Sequence, residues 1–364
     1  MQKAIPYMHF RGGSSKALFF NAKDLPTDTH LRNQYILAAM EGSDMGDPRQ
    51  IDGLGGGSSL SSKVAIVSKS QIPNLQSPIP ILDYYFIQVM IGKGKVSTTQ
   101  TCGNILAGVL PFAIESGMIK ATHPTTKAVI NIVNTGGLCE VSVETPNGQV
   151  NYVGDAKVDG VVGTAAPIIC NYLNTEGATC GALLPTGNLI DIIDGKEMTC
   201  IDNGMPVVIL RANDFNITGY ETKEALDNNA DLKKQLESIR LQIGYKMNLG
   251  DVSNQSIPKM CLISPPNTEG GIVNTRMFIP HVCHDAIGVL AAVTVATACV
   301  LPNSIAENIK ILKRGNKYSI EHPTGEFTVN LETKIIDNQL VIEKSGVMRT
   351  ARLLSKGEVY IPVL

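Results

Sequence analysis

One segment restricts the fold more than any other: residues 103 to about 116 have helical spacing but are apolar on nearly every side. A helix without a polar face cannot lie on a protein surface and must be enclosed by other elements. A second stretch, residues 286–305, is uncharged until Ile305 and is interrupted by Thr294, Thr297 and Pro302. Its apolar run is too short for a bilayer, which needs about 20 residues. We therefore predict two buried helices and no membrane span.

Alternating apolar residues predict strands around these two helices. The predicted strands are residues 63–68, 84–91, 128–133, 140–144, 206–210, 259–264 and 274–279, with more strands from Tyr318 onward. Helical spacing also appears at residues 30–41 and near 223–247. The segment 160–187 has no sustained period and predicts the connection between domains. We expect two domains, 1–186 and 187–364, with the last strand able to return to the first domain.

The two halves resemble each other around a cysteine. Cys102 and Cys283 are each followed by small or polar residues and then by an apolar helical segment, so each half offers a thiol at a helix N-terminus. The expected fold class is α/β (α+β), with two similar strand-rich domains, each wrapped on one apolar helix.

Charge and cysteine usage exclude several classes of protein. The 364 residues carry a net charge of −2, with 18% charged residues, which fits neither a disordered chain nor a basic nucleic-acid binder. The eight cysteines contain no C-x-x-C pair and follow no secretory leader pattern, so we expect reduced thiols in a cytoplasmic protein.

Four glycine-containing segments carry hydroxyl, basic or thiol groups, as an anion-binding nest of backbone N–H groups requires. They are residues 11–16, 53–63, 101–104 and 281–285. The chain has no P-loop, no complete dinucleotide fingerprint and no serine-hydrolase elbow, so we expect substrate carboxylates as the anions and no cofactor. His281, Cys283 and His284 have no second pair at zinc spacing, so no metal is predicted.

Two side chains are the predicted acid–base groups. Cys102 immediately precedes a helix, where free N–H groups favour the thiolate. Lys63 enters an apolar strand, and partial burial there would lower its pKa and make it usable as a base. Cys180 is interpreted as a linker residue because Pro185 follows it, and the other five cysteines as buried filling.

These residues lie in motifs by which the chain resembles the PrpF-type aconitate isomerases and 4-oxalomesaconate tautomerases, a family with the diaminopimelate epimerase fold. The resemblance runs nearly end to end. Its motifs are residues 11–16, 47–56, 61–67, 102–109, 184–187, 202–208, 280–289 and 321–325. The sequence departs from the family's more frequent residues at Ser14, Ala17 and Thr101, which would tune the acid that fits.

The resemblance implies two similar domains, each a mixed sheet rolled around a central helix. It implies catalytic roles for Lys63 and Cys102 and leaves the part of Cys283 and His284 open. The residues it places at substrate carboxylates are Arg11, Ser14, Ser15, Lys16, Ser58, Ser59, Ser61, Gly103 and Asn104, and Cys283 and His284 are kept as further substrate-binding candidates.

The hypothesis is a cofactor-independent 1,3-proton shift in an unsaturated di- or tricarboxylate. Keto–enol tautomerisation of 4-oxalomesaconate ranks first, and isomerisation of 2-methylaconitate or methylitaconate is the alternative. A non-catalytic carboxylate-binding relative is the alternative from another class. The expected partner is the small polycarboxylate, with no nucleic acid and no membrane, and a homodimer is left open.

Overall fold

The computed structural model describes residues 1–70, 72, 77–312, 315–336 and 339–363. The chain divides into two compact units, one of Met1–Leu173 with Met348–Leu364 and one of Asn174–Val347. The strands are β1 (Gln2–Gly12), β2 (Ser15–Asn21), β3 (Lys63–Lys69), β4 (Ile81–Met90), β5 (Lys95–Ser97), β6 (Thr125–Ile132), β7 (Gly137–Glu144), β8 (Ile168–Leu173), β9 (Asp191–Ile193), β10 (Lys196–Asp202), β11 (Pro206–Arg211), β12 (Lys259–Ser264), β13 (Gly271–Phe278), β14 (Lys317–His322), β15 (Gly325–Ile336), β16 (Gln339–Arg349) and β17 (Ala351–Pro362). The α-helices are α1 (Thr29–Glu41), α2 (Gly103–Leu106), α3 (Val109–Glu115), α4 (Lys223–Asn228), α5 (Ala230–Lys246) and α6 (Val289–Val300).

The first unit is a mixed sheet closed around a broken apolar helix. β17 and β1 are antiparallel, as are β1 and β2, and β2 runs parallel to β3. β3 and β4 are antiparallel, β4 is parallel to β6, and β7 and β8 follow in antiparallel order. The helix pair α2 and α3 packs against β1, β2, β3, β6 and β7, strands from both halves of this sheet. The sheet therefore curls around it, as its apolar composition requires.

The predicted single helix over residues 103–116 was wrong in one respect, because it is two short helices. Pro111 has no N–H for the carbonyl of Ala107, the partner it would have in a continuous helix, and its ring would clash there. The N–H of Gly108 bonds instead to the Ile105 carbonyl at 2.9 Å. A Cβ at Gly108 would lie 2.7 Å from the Phe19 ring, so the break also lets the backbone approach that ring closely.

The second unit repeats the strand pairing of the first. β10 and β11 are antiparallel, β11 is parallel to β12, β12 and β13 are antiparallel, and β13 is parallel to β14. β15 and β16 complete the order as antiparallel neighbours. The apolar helix α6 packs against β10, β11, β14 and β15. The α/β class with two similar domains, each a mixed sheet around an apolar helix, is thereby confirmed.

Residues 174–186 belong to the second unit, whereas the predicted domain boundary followed residue 186. The Gly177 N–H donates to the Asp202 carbonyl at 2.8 Å, and the Asp202 N–H donates to the Leu183 carbonyl at 2.9 Å. Cys180 lies in this segment, is only 3% exposed and packs in the hydrophobic core of the second unit. The interpretation of Cys180 as a linker residue is therefore wrong, because the segment folds back on β10.

Two further helix expectations need correction. The predicted helix near residues 223–247 is divided at Asn229, whose side chain caps α5 by accepting from the Leu232 N–H at 3.0 Å. Cys283 does not lie at a helix N-terminus, because α6 begins at Val289 and is capped by Gly288. Within the described part of the chain, no helix is long and apolar enough to cross a membrane.

Candidate active site

Lys63 begins β3 and is buried, with 8% of its surface exposed. Its ammonium Nζ lies 2.6 Å from Gln88 Oε1 on the neighbouring strand β4 and 5.4 Å from the centre of the Phe86 ring. Burial lowers the pKa of Lys63, and the charge of Cys102 partly opposes that change. The predicted burial of this amine is confirmed, and its pKa moves in the direction that favours a base.

Cys102 is the N-cap residue of α2 and is half-buried. Its carbonyl accepts from the Leu106 N–H at 3.0 Å and from the Tyr84 hydroxyl at 3.1 Å. Tyr84 is buried on β4, and burial raises the pKa of this phenol far above its usual value, so it stays a neutral donor. Because α2 has a single turn, the local N–H groups at its start matter more than a long helix dipole.

The start of α2 is held against the β1–β2 hairpin. Asn104 Nδ2 donates to Ser14 Oγ at 3.1 Å. A Cβ at Gly12 would lie 2.3 Å from the Asn104 carbonyl oxygen, and one at Gly13 would lie 2.2 Å from Asn104 Oδ1. Glycine is therefore required at both positions, and at Gly13 also by its φ of +49°. The predicted segments 11–16 and 101–104 are thus brought together.

The glycine and serine loop before β3 meets the same hairpin. Ser58 Oγ and Ser61 Oγ are 2.8 Å apart, and the Lys16 N–H donates to the Leu60 carbonyl at 2.9 Å. A Cβ at Gly56 would lie 2.3 Å from Ser61 Oγ and 3.3 Å from Lys16 Cε. The predicted hydroxyl and lysine groups therefore share one neighbourhood of the first unit. Ser59 is exposed on this loop, and Ser15 is buried next to the hairpin turn, where it pairs with Gly12.

One nitrogen of the Arg11 guanidinium is used to hold the hairpin turn in place. Its Nη1 donates to the Gly13 carbonyl at 2.9 Å and to the carbonyl and hydroxyl of Thr350 at 3.1 and 2.9 Å. Burial, with the nearby Arg352, lowers the pKa of Arg11. This nitrogen anchors the hairpin turn, so any substrate contact of Arg11 falls to its other two nitrogens.

Cys283 and His284 belong to the second unit and have their own surroundings there. Cys283 is 1% exposed, its N–H donates to Asp227 Oδ1 at 2.7 Å, and burial together with Asp227 raises the pKa of its thiol to about 11. His284 Nδ1 accepts from the Ala286 N–H at 2.8 Å, and burial lowers the pKa of this imidazole. Both residues line a depression of about 250 Å³ with Lys223 and Asp285. A thiol buried in this way stays protonated at neutral pH.

Sequence reasoning missed the residues that support the two predicted acid–base groups. Gln88 and Tyr84 contact Lys63 and Cys102 respectively, and both lie on one face of β4 with Phe86 between them. Alternation along β4 places Gln88 on the same face as Tyr84 and Phe86, but its position opposite Lys63 is set by the pairing of β3 with β4. No group of three or more His, Cys, Asp or Glu side chains suited to a metal ion occurs among the described residues.

Comparison with known proteins covers nearly the whole chain. Residues 2–362 match the family described as PrpF protein. The chain is 49% identical over 360 residues to "(4E)-oxalomesaconate Delta-isomerase" of Novosphingobium sp. (strain KA1), covering 98% of each chain. It is also 49% identical over 362 residues to "4-oxalomesaconate tautomerase" of Pseudomonas putida, covering 99% of this chain and 97% of the relative. The crystal structure of a methylitaconate-delta-isomerase superposes with a TM-score of 0.87 at 33% identity, covering 99% of this chain and 96% of that one.

Likeness over nearly the whole chain to proteins named as isomerases and a tautomerase makes this chain an isomerase. The chain belongs to the PrpF family.

Proposed function

We propose that the chain catalyses a 1,3-proton shift in an unsaturated di- or tricarboxylate, with keto–enol tautomerisation of 4-oxalomesaconate as its reaction. The observation that carries the proposal is that one face of β4 contacts both groups: Gln88 accepts from the buried Lys63 amine at 2.6 Å, and the Tyr84 hydroxyl donates to the Cys102 carbonyl at 3.1 Å. The 49% identity to the oxalomesaconate enzymes over nearly the whole chain supports the choice of substrate. The ligand is a small polycarboxylate, and the expected setting is cytoplasmic.

The reaction requires one group to accept a proton and another to return one. In the proposed sequence one of Lys63 and Cys102 removes a proton from substrate carbon, and the electron pair of that C–H bond delocalises towards a keto or carboxylate oxygen. The other group supplies a proton at the distal position, so protons and electrons balance without an oxidant or reductant. Each positioned acid or base contributes about 10²–10⁴-fold to the rate.

The developing negative charge needs donors fixed in advance. The backbone N–H groups of Gly103 and Asn104 lie in the first turn of α2, where helical N–H groups lack intrahelical acceptors. The β1–β2 hairpin and the adjoining loop add hydroxyl donors and a positive charge for the carboxylates, from Ser14, Ser58, Ser61 and Lys16. We assign substrate carboxylates to this set, and keep Ser15, Ser59, Arg11, Cys283 and His284 as further candidates.

A second candidate reaction is supported by the structural comparison. The methylitaconate isomerase structure shares the fold at 33% identity. Its name indicates a C=C transposition, in which both exchanged protons sit on carbon. Keto–enol tautomerisation instead exchanges one proton at oxygen. The two reactions therefore differ in which substrate carbons acquire deuterium.

The test is proton NMR in D₂O with 4-oxalomesaconate, 2-methylaconitate and methylitaconate supplied separately. We expect exchange and turnover with 4-oxalomesaconate. Turnover of methylitaconate or 2-methylaconitate in its place would favour the second candidate. Binding of these acids without any exchange would instead indicate a non-catalytic carboxylate-binding relative.

Variants at the two predicted acid–base groups test the assignment of the site. Cys102→Ala and Lys63→Met should each lower exchange by at least about 10²-fold, because each removes one proton-transfer group. Cys102→Ala should keep most of the thermal stabilisation given by the ligand. Lys69→Met, an exposed lysine on the same strand, and Cys299→Ala, a buried thiol in α6, are the matched controls. An undiminished rate in either site variant would remove that residue from the mechanism.

A further inference from the structure

The Lys63 amine has one side-chain hydrogen-bond partner among the described residues, Gln88. Gln88 is the cross-strand neighbour of Lys63 in the β3–β4 pair, and its Oε1 accepts from Nζ at 2.6 Å. Among the residues that the structure describes, no carboxylate is within ion-pair distance of this amine. Lys63 is therefore held by an uncharged oxygen.

The orientation of the Gln88 amide is fixed by its other end. Its Nε2 donates to the carbonyls of Ser62 at 2.9 Å, Val89 at 3.2 Å and Ser59 at 3.3 Å. Turning the amide over would set Oε1 against those carbonyl oxygens and would present the amide N–H groups to the lysine. Only one orientation satisfies both ends, and in it Oε1 faces Lys63.

Ser62, whose carbonyl accepts from Gln88, also takes part in a buried hydrogen-bond network through its hydroxyl. Ser62 is fully buried, and its hydroxyl donates to Gln50 Oε1 at 2.7 Å. The same oxygen accepts from the Gly57 N–H at 2.8 Å, in the loop that carries Ser58 and Ser61. Gln50 is 2% exposed, and its Nε2 donates to Glu41 Oε1 at 3.3 Å. Gln88 therefore connects the Lys63 amine to a rigid support.

Few titratable groups face the Lys63 amine. The charge of Cys102, the N-cap residue of α2, raises the pKa of Lys63. On β4 the buried Tyr84 is a neutral phenol. The residue paired with Lys63 on β2 is Ala17, which does not titrate. A carboxylate at position 88 would be a new charge at hydrogen-bond distance, and such a neighbour raises a lysine pKa by about 1–3 units.

We infer that Gln88 is a positioning residue, whose uncharged side-chain oxygen fixes the Lys63 amine at the site while leaving it able to lose and regain a proton. The inference rests on the proposed function, in which Lys63 is a proton-transfer group and here accepts the proton in its neutral form. A glutamine achieves both effects, whereas a glutamate of the same size would hold the amine as a charged ion pair.

The test compares Gln88→Glu and Gln88→Met with the intact protein and with Gln149→Glu, which adds the same charge at an exposed glutamine of the first unit. The pKa of Lys63 is measured without substrate, from the pH dependence of its acetylation by acetic anhydride followed by peptide mass spectrometry. We expect Gln88→Glu to move the labelling midpoint up by about 1–3 pH units. Gln149→Glu should leave it unchanged.

Exchange kinetics provide the second readout. In Gln88→Glu, kcat at neutral pH should fall about 10- to 100-fold and recover at alkaline pH, where the amine is neutral again. A loss that was only structural would be independent of pH. In Gln88→Met, which adds no charge, kcat should fall with little change in KM and without the alkaline shift. This second variant keeps the test valid if Gln88→Glu does not fold.

An unchanged labelling midpoint in folded Gln88→Glu, or an undiminished kcat in Gln88→Met, would overturn the inference. In Gln88→Glu, the labelling midpoint of Lys63 could shift while the pH dependence of kcat stays as in the intact protein. That outcome would support the contact between Gln88 and Lys63. It would contradict the proposed role of Lys63 as the proton acceptor.

Discussion

Burial controls the protonation of individual side chains in the first unit. Lys63 and His9 both have their pKa lowered because a charged form is costly away from water. For His9 burial is the larger cause and the charge of Lys16 adds to it, which lowers its pKa to about 4. His9 is therefore neutral at pH 7, on β1 beside the strand that carries Lys16.

This shift predicts an acid-sensitive stability. The unfolded chain protonates His9 near pH 6.5, whereas the folded chain resists protonation until about pH 4. Between these values the unfolded state binds more protons, so the stability contribution present above pH 6.5 is lost as pH falls. We expect His9→Gln to flatten the decline in melting temperature between pH 6.5 and about pH 4, measured by circular dichroism.

The exposed His30 on α1 is the matched control for His9. His30→Gln should leave the pH dependence of melting as in the intact protein, because the side chain is exposed. Parallel pH profiles for His9→Gln and the intact protein would contradict the burial argument.

For individual residues, the sequence predicts which side chains are buried better than it predicts which side chains contact each other. The burial of Lys63 followed from the strand it enters, and that prediction is confirmed. Gln88 could not be identified in the same way, because its role depends on the register that sets it opposite Lys63. Register is a long-range property, decided by pairing between segments 25 residues apart.

At the scale of elements, close backbone approach ties α2 to β1. The glycines at the end of β1 leave room for Asn104, whose carbonyl oxygen would lie 2.3 Å from a Cβ at Gly12. Contacts below 3 Å force the backbone to move. The start of α2, with Cys102 and the neighbouring N–H groups, therefore depends on the absence of a side chain on another element.

We predict that Gly12→Ala displaces the start of α2 and lowers exchange by more than about 10-fold, since small misplacements of reacting groups are costly. Overpacking should also cost about 1–3 kcal/mol of stability. Exchange rate and urea unfolding measure the two effects. Gly357→Ala is the control, because a Cβ there has nothing within 4 Å, and equal behaviour of the two variants would contradict the prediction.

Helices and strands were predicted correctly where the local pattern of apolar residues determines them. The strand predicted at residues 63–68 is β3, and the helix predicted at 30–41 is α1. It failed where a competing local effect was overlooked, as with Pro111 inside the apolar helix. The position of Cys283, which is buried in the second core rather than at the start of α6, depends on tertiary packing that periodicity does not contain.

At the scale of the whole molecule, the first unit is completed by the two ends of the chain. β1 and β17 pair from Gln2 opposite Pro362 to Gly12 opposite Ala351. The Gly13 N–H and Arg11 Nη1 both bond to Thr350, immediately before β17. The hairpin that carries Ser14 and Lys16 thus gains its outer neighbour only when the last strand is in place. Such long-range pairing requires costly loop closure before its contacts can form.

Deleting residues 351–364 should therefore strongly destabilise the first unit. Without β17 the strand β1 has an open edge, and the fully buried Phe10 and Ile5 lose cover on that side. We expect loss of exchange and a fall of more than about 10 °C in the melting of this unit, followed by calorimetry and limited proteolysis. Removing only residues 363–364 is the control, because Val363 is 62% exposed. A truncated chain that still exchanged substrate protons would mean that β1 and its hairpin are stable without their C-terminal partner.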